Sequence, residues 1–338
     1  FNVIAALLSF FSMYFEKEPG NNILAVQPIY KTEGRVLLAR VLHESLFGAN
    51  KNEKLAADKK IVVLYSEDDA GISIKDGITV EAVNQNVGSR VEYLPFSAST
   101  ANSVVTTALS QNPGAIIIAA NQIPTIAVAT ALRQQLNLTP VFTSYVNGIG
   151  SFTPAQEVEV VDVTGADGTV TQKNVAKPLP YDVYANAWVD IVDATKPGPT
   201  AEMIGGEGTL AGWNFPLEYL AGYTDEYWNG FVNTMNTSTV PGANALWGNA
   251  YAMAGYVAAH TFLAILERVD LDTVTWEDFI AAAESAPIKL PMAGTVNWAN
   301  GDRIGLDALA LNKILYPETG ATFAKVIGVE NLETINKK

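Results

Sequence analysis

The sequence predicts an α/β protein built on a parallel β-sheet with helices on both faces. Between residues 61 and 144, short apolar runs rich in β-branched residues alternate with amphipathic stretches of helical length. Continuous apolar strands are typical of a sheet that is buried on both faces, and their alternation with helices is typical of βαβ units. The chain has 338 residues and is 49% hydrophobic, which is enough for two domains with separate cores.

The first half of the chain contains the most regular elements. A short strand is predicted at 1–4, followed by a buried helix that ends near residue 15. This opening stretch is shorter than the roughly 20 apolar residues that a membrane-spanning helix needs, so no direct membrane insertion by this chain is expected. Further elements are a strand at 22–28, a helix at 32–48 with Thr32 as N-cap and Gly48 as stop, strands at 61–65, 91–96, 115–120 and 140–144, and helices at 71–86, 101–111 and 124–136.

After residue 148 the alternation is lost. Residues 156–175 alternate with period two around a Gly-Ala-Asp-Gly turn and predict an antiparallel hairpin. Residues 178–222 are rich in Pro, Gly and aromatic residues, and we interpret them as an irregular insertion. The remaining predictions are helices at 224–235, 243–269 and 275–286, the last capped by Thr275, and two strands joined by a Gly-Asp turn within 294–315.

Composition excludes several classes of function. The chain has 35 acidic and 21 basic residues, so a nucleic-acid backbone would repel it. It has no Cys and only two His, which removes zinc sites built on Cys and His, iron–sulfur clusters and thiol nucleophiles. The stretch "GGEGTLAG" (205–212) imitates a phosphate-binding loop, but a Pro-rich loop precedes it where a dinucleotide-binding motif requires a strand. Neither Gly-x-x-x-x-Gly-Lys-Ser/Thr nor a Gly-x-Ser-x-Gly elbow is present. No catalytic residue, cofactor or metal is therefore predicted, and the chain is not expected to be an enzyme.

Polar side chains follow three of the predicted parallel strands. In open parallel sheets, ligands bind outside the carboxyl ends of the strands, near the N-termini of the helices. One carboxylate of the Asp68–Asp69 pair is expected to cap the following helix. Hydrogen-bonding groups without a catalytic set suit binding better than bond cleavage; the candidates are Ser66, Asp68, Asp69, Asn121, Gln122, Thr143, Ser144, Tyr145 and Asn147.

Three stretches together resemble a known family. The middle of the chain, beginning "KKIVVLYSEDDAGISIKDGITVEAVNQNVG", resembles the extracytoplasmic solute-binding proteins of ABC importers, in the branched-chain amino acid and amide group with the type I periplasmic-binding fold. The stretches "GNAYAMAGYVAAHTFLAILERV" and "AGTVNWANGDRIGLDALALNKIL" resemble the long helix and the closing strands of the same family. The resemblance covers about residues 22 to 315.

This resemblance implies two Rossmann-like lobes with parallel sheets, joined by a hinge and closing on a ligand in the cleft. It implies an incomplete N-terminal lobe formed by 1–50 and 243–292, and a C-terminal lobe formed by 58–240 and 293–338. Ser9 becomes the nearest match to a ligand-binding loop of the first lobe.

Several aromatic residues are candidates to line the cleft, and the chain departs from the family pattern at two positions near it. The aromatic residues Trp188, Trp213, Tyr219 and Trp247 are expected to fill the core or line the cleft, and Trp247 is retained as a ligand-binding candidate. The family often has an aromatic residue where this chain has Ala70, and its amino-acid binders have a carboxylate near the position of Tyr145.

The favoured function is a receptor that captures a small polar solute, such as an amino acid or amide, and delivers it to the permease of an ABC transporter. The implied location is periplasmic or extracellular, with lipid anchoring through a segment outside this chain left open. A ligand-sensing regulatory domain of the same fold is the alternative, and an α/β enzyme is a distant third. Nothing in the sequence identifies the solute.

Overall fold

The computed structural model describes residues 3–5, 23–164, 169–188, 226–243, 246, 250–291, 293–316 and 322–338. Its strands are β1 (Val3–Ala5), β2 (Ile23–Ala25), β3 (Ile61–Ser66), β4 (Val91–Phe96), β5 (Ala115–Ala119), β6 (Val141–Thr143), β7 (Val158–Thr164), β8 (Val170–Ala176), β9 (Val183–Ala187), β10 (Ile288–Lys289), β11 (Thr295–Val296), β12 (Ala308–Leu315) and β13 (Thr322–Asn331).

The helices of the described residues are α1 (Tyr30–His43), α2 (Asp69–Asn84), α3 (Ala101–Ser110), α4 (Gln122–Gln134), α5 (Ile149–Phe152), α6 (Glu226–Thr237), α7 (Ala250–Leu266), α8 (Trp276–Ser285) and α9 (Leu332–Ile335). The capping box of Thr275 and Asp278 begins α8, as the sequence predicts for Thr275. The helix expected to end near residue 15 lies outside the described residues.

A seven-stranded sheet organises most of these elements, in the order β13-β12-β9-β6-β5-β3-β4. The five strands from β4 to β9 are parallel, whereas β12 is antiparallel to both β9 and β13. Strand and helix positions from 61 to 143 agree with the sequence prediction to within about two residues. The predicted α/β class with a parallel sheet is confirmed.

Helices cover both faces of this sheet. On one face, Ile61 and Val63 of β3 pack in the same apolar cluster as α1 and α2. On the other face, Val62 and Leu64 pack in the cluster that contains α3 and α4. Because every side chain of the first four residues of β3 is fully buried, the strand reads as a continuous apolar run and not as an alternating one.

A third apolar cluster adjoins the sheet through Leu309 of β12 and through Val36 and Ala39 of α1. It joins β2 to residues of α6, α7 and α8 and to Trp298. Within the described residues up to β12, the chain passes between this cluster and the sheet three times, since Val26, Trp188 and Leu309 belong to the third cluster while Tyr30, Tyr184 and Leu311 belong to the cluster of α1 and α2. After β13 the chain returns to the third cluster at Leu332 of α9. Two passages lie side by side, because the Ala25 N–H donates to the Arg303 carbonyl at 3.1 Å.

The prediction of an irregular insertion at 178–222 is wrong for its first part. Residues 183–187 form β9, which pairs with β6 on one side and β12 on the other. The segment has the composition of a loop, because Pro178 and Pro180 precede the strand and aromatic residues are frequent. In the structure, however, β9 is almost fully buried. Residues 189–225 lie outside the described residues.

The boundaries predicted for the first long helix are also wrong. Thr32 lies inside α1, whose N-cap is Ile29 without a side-chain hydrogen bond. The helix ends at His43, and Gly48, with φ +76°, belongs to a turn closed by the bridge between Phe47 and Glu53. Glycine with a positive φ is common both at the ends of helices and in tight turns, so the presence of Gly48 does not distinguish the two.

The two strands expected within 294–315 exist but do not pair with each other. The first, β11, forms a small antiparallel ribbon with β10. The second, β12, enters the large sheet. The hairpin predicted at 156–175 is confirmed as β7 and β8.

Candidate functional site

The carboxyl ends of β3, β5 and β6 lie next to one another at one edge of the sheet, because these strands are neighbours and parallel. At the end of β3, Asp68 is the N-cap of α2 and accepts from the Gly71 N–H at 2.8 Å. The same carboxylate oxygen accepts from the Ser66 hydroxyl at 3.0 Å. The expected role of one Asp as a helix cap is thus confirmed.

The end of β5 is tied to the beginning of α1. Asn121 accepts through its side-chain oxygen from the Tyr30 hydroxyl at 3.2 Å. Gln122 donates from its side-chain amide to the Val146 carbonyl at 3.0 Å, which joins α4 to the segment after β6.

The segment after β6, residues 144–147, is named here the edge segment. Asn147 is buried and donates to the Ala120 carbonyl at 2.7 Å and to the Thr143 hydroxyl at 2.9 Å. Thr143 in turn donates to the Ile118 carbonyl at 3.2 Å. These two candidates therefore hold strand ends together.

A carboxylate that sequence reasoning missed lies beneath the edge segment. Glu33, in the first turn of α1, is fully buried. One of its oxygens accepts from the Ser144 hydroxyl at 2.7 Å, and the other accepts from the Tyr145 N–H at 2.7 Å. The side-chain amide of Asn186 lies 3.5 Å from Glu33 Oε1. Glu33 thus connects α1, the edge segment and β9.

Burial is the main influence on the acidity of Glu33. It raises the pKa of this carboxyl to about 7, against the opposing hydrogen bonds from Tyr145, Ser144 and Asn186. A carboxylate in an apolar environment is costly without a counter-charge, so the proton is retained to higher pH.

The polar candidates divide into two groups by exposure. Ser66, Thr143, Ser144 and Asn147 are buried, and their polar side-chain atoms bind other parts of the chain. The remaining candidates present polar surface at the same edge: Asp68, Asp69 and Gln122 are exposed, and Asn121 and Tyr145 are half-buried. Ser9 and Trp247 lie outside the described residues, as do Trp213 and Tyr219, whereas Trp188 is buried in the third cluster.

Substitution of Asp68 by Ala is expected to destabilise the protein by about 1 kcal/mol, because α2 loses its N-cap. Urea unfolding followed by circular dichroism measures this difference. The matched control is Asp68→Asn, which keeps a side-chain acceptor and is expected to stay close to the native free energy of unfolding. Equal losses in the two variants would contradict the capping role.

Among the described residues, no group of three acidic or histidine side chains is arranged to hold a metal ion. The helices in that part of the chain also lack the combination of length and apolar character that a bilayer-spanning segment requires.

Comparison with known sequences returns no relative: no family model matches the chain, and no curated protein does. Solved structures do match. The leucine-binding protein of Thermotoga maritima is 13% identical, with a TM-score of 0.56 over 98% of this chain and 72% of that protein. A fatty acid ABC transporter substrate-binding protein from Thermomonospora curvata is 14% identical, with a TM-score of 0.52 over 93% of this chain and 66% of that protein.

A substrate-binding protein from Desulfitobacterium hafniense, solved in complex with Leu, is 12% identical, with a TM-score of 0.51 over 89% of this chain and 67% of that protein. The chain therefore spans about two thirds of the length of these proteins. At such low identity the likeness establishes the fold, which is the type I periplasmic-binding fold that the sequence resemblance implies.

Proposed function

We propose that this chain is an extracytoplasmic receptor that captures a small solute between two lobes and delivers it to the permease of an ABC importer. In this proposal the chain binds its ligand without changing it. The observation that carries the proposal is the edge formed by the ends of β3, β5 and β6, where exposed polar side chains sit on a rigid base of buried ones.

Three features of this edge support binding. Asp69 and Gln122 present a carboxylate and an amide to solvent, and Tyr145 adds an aromatic surface. The buried residues beneath them are already hydrogen-bonded, so the edge is pre-formed and loses little conformational entropy when a ligand binds. The solved structures with the same fold are described as substrate-binding proteins and not as enzymes.

The division into lobes is part of the proposal. The three passages between the third cluster and the sheet would form the hinge. Four buried apolar residues of α1 pack in the cluster with α2 and the sheet, against two, Val36 and Ala39, in the third cluster. We therefore favour a first crossing near residues 27–29, which assigns α1 to the lobe of the large sheet. The boundaries expected from the sequence, at residues 50 and 58, stay predictions. Limited proteolysis with and without ligand is the direct measure of such a hinge.

A ligand-binding experiment tests the function. Thermal unfolding is followed with L-leucine and with dodecanoate as probes, because the solved structures of this fold are described as binding leucine or a fatty acid. A bound ligand stabilises the native state by RT ln(1 + [L]/Kd), about 2.7 kcal/mol at a hundredfold excess over Kd. We expect one probe, or a member of a wider panel of amino acids, amides, carboxylates and sugars, to raise Tm with its concentration.

Variants decide whether the ligand occupies this edge. Asp69→Asn and Gln122→Ala are expected to weaken binding at least tenfold, whereas the control Asp162→Asn, an exposed carboxylate of β7, is expected to leave Kd unchanged. Mass spectrometry of the recovered ligand checks that it is unaltered. Chemical turnover of the ligand, or equal affinity in all three variants, would contradict the proposal.

A further inference from the structure

We propose that Glu33 is a positioning residue of the ligand site, and that its proton determines how firmly the edge segment is held against α1. The inference rests on the proposed function only in that the edge segment belongs to the proposed site. The holding of the segment is measurable without any ligand.

The first step is the geometry of attachment. Glu33 reaches the edge segment through two short hydrogen bonds, one from a side-chain hydroxyl of Ser144 and one from the main-chain N–H of Tyr145. Tyr145 further donates from its hydroxyl to the Pro28 carbonyl at 3.3 Å. Because Tyr145 is half-exposed at the edge, displacement of its main chain would move a side chain that the proposed ligand meets.

The second step is the absence of a counter-charge. Within the described part of the chain, no cation forms an ion pair with Glu33. The neighbouring cations on α1 are Lys31 and Arg35, and Arg35 pairs with Glu81 of α2 at 3.0 Å.

The residues that form hydrogen bonds with Glu33 carry no charge. The edge segment contributes Ser144 and Tyr145, and β9 contributes Asn186. The phenol of Tyr184 on β9, two residues before Asn186, stays neutral because burial raises its pKa. A charged Glu33 would therefore be compensated by hydrogen bonds alone, which makes its neutral form competitive.

The third step is a buried acceptor beside the carboxyl group. Asn186 is 3% exposed, and its side-chain oxygen has no hydrogen-bond partner in the described part of the chain, while its nitrogen lies 3.5 Å from Glu33 Oε1. If the amide is turned over, this oxygen faces Glu33, and a protonated Glu33 donates its O–H to it. Protonation thus satisfies an acceptor that the carboxylate form leaves unpaired.

The direction of the effect follows from linkage. When the edge segment lifts away, Glu33 meets water and regains an acidity near that of free glutamate, about pH 4.3. The held state binds the proton more tightly, so acid favours it. As pH rises from about 5 to 7, the equilibrium constant for lifting is expected to increase by up to about tenfold per pH unit, and then to level off.

Hydrogen exchange tests this inference. The N–H of Tyr145 bonds to Glu33, and the N–H of Asn147 bonds to the Ser144 carbonyl at 3.0 Å, so both report on the edge segment. Their protection factors, corrected for the intrinsic pH dependence of exchange, are measured by NMR between pH 5 and 8 in the native protein, in Glu33→Gln and in the control Glu81→Gln. Glu81 is an equally buried carboxylate on the facing helix.

In the native protein and in Glu81→Gln we expect protection to fall at least tenfold between pH 5 and 7. Glu33→Gln has no carboxyl proton to lose in this pH range, so in this variant we expect no such fall. Ser144→Ala removes one bond to the carboxylate and is expected to move the midpoint of the fall to higher pH, which gives a second readout if Glu33→Gln folds poorly.

Two results would overturn the inference: a flat profile in the native protein, or the same slope in Glu33→Gln as in the native protein. Either result leaves ligand capture itself intact. Conversely, failure of every ligand probe would remove the proposed function while the pH profile of the edge segment remained.

Discussion

Alanine at position 34 is expected to destabilise the protein by about 3 kcal/mol, because the site's first helix has no room for a methyl group there. A Cβ on Gly34 would lie 2.0 Å from the Ile74 carbonyl oxygen of α2, and a Cβ on Gly77 of α2 would lie 1.9 Å from the Lys31 carbonyl oxygen. The two helices thus touch backbone to backbone. Their separation would also move Glu33, the residue before Gly34, away from the edge segment.

The sign of this effect distinguishes close packing from helix propensity. In an open helix, Gly→Ala is stabilising by about 0.5–1 kcal/mol. Gly255 of α7 provides that control, since a Cβ there meets nothing within 4 Å. We expect Gly255→Ala to raise the urea midpoint and Gly34→Ala to lower it. A stabilising Gly34→Ala would show that α1 and α2 do not cross at this distance.

The free energy of unfolding of Glu33→Gln, relative to that of the native protein, is expected to rise by about 3 kcal/mol between pH 4 and pH values above 7. Burial raises the pKa of Glu33 from 4.5 to about 7. Between these two values the native state keeps a proton that the unfolded chain loses. The free energy of unfolding therefore declines by about 1.4 kcal/mol per pH unit as pH rises from 4.5 to about 7. Gln carries no charge and lacks this decline.

The difference between the two unfolding curves isolates Glu33 from other titrating groups. It is measured by urea unfolding at pH 4, 5, 6, 7 and 8. Glu81→Gln is expected to behave in the opposite way: although burial raises the pKa of Glu81, hydrogen bonds from Gln85, Asn336 and Arg35 lower it overall. The stability from Glu81 is present at neutral pH and is lost in acid. A constant difference between the native protein and Glu33→Gln would contradict a raised pKa.

The sequence predicted the parallel part of the sheet well because its strands carry their own signal. The predicted strand at 91–96 has the same boundaries as β4. The boundaries of β3 and β5 are also readily predicted, because turns and helical stretches flank their apolar runs. The same local reasoning failed for β9. Its burial depends on β6 and β12, which are distant in sequence, and local composition cannot report partners of that kind.

The sequence predicts the candidate site only where strands end. The ends of three strands identify Asp68, Asn121 and their neighbours, but no local pattern points to the partners of Glu33, because its hydrogen bonds reach across 111 and 112 residues. One signal was present. Glu33 shares a helical stripe with the buried Leu37 and Val41, and a carboxylate in an apolar stripe calls for a buried partner.

The central position of β9 also bears on how the protein is made. During synthesis β9 follows β6, its partner on one side, but its other edge stays unpaired until β12 has been synthesised. Until then the nascent sheet exposes an apolar strand edge, the kind of surface that pairs with other chains. The late arrival of β12 thus leaves the nascent chain open to association through this edge, which the finished sheet covers.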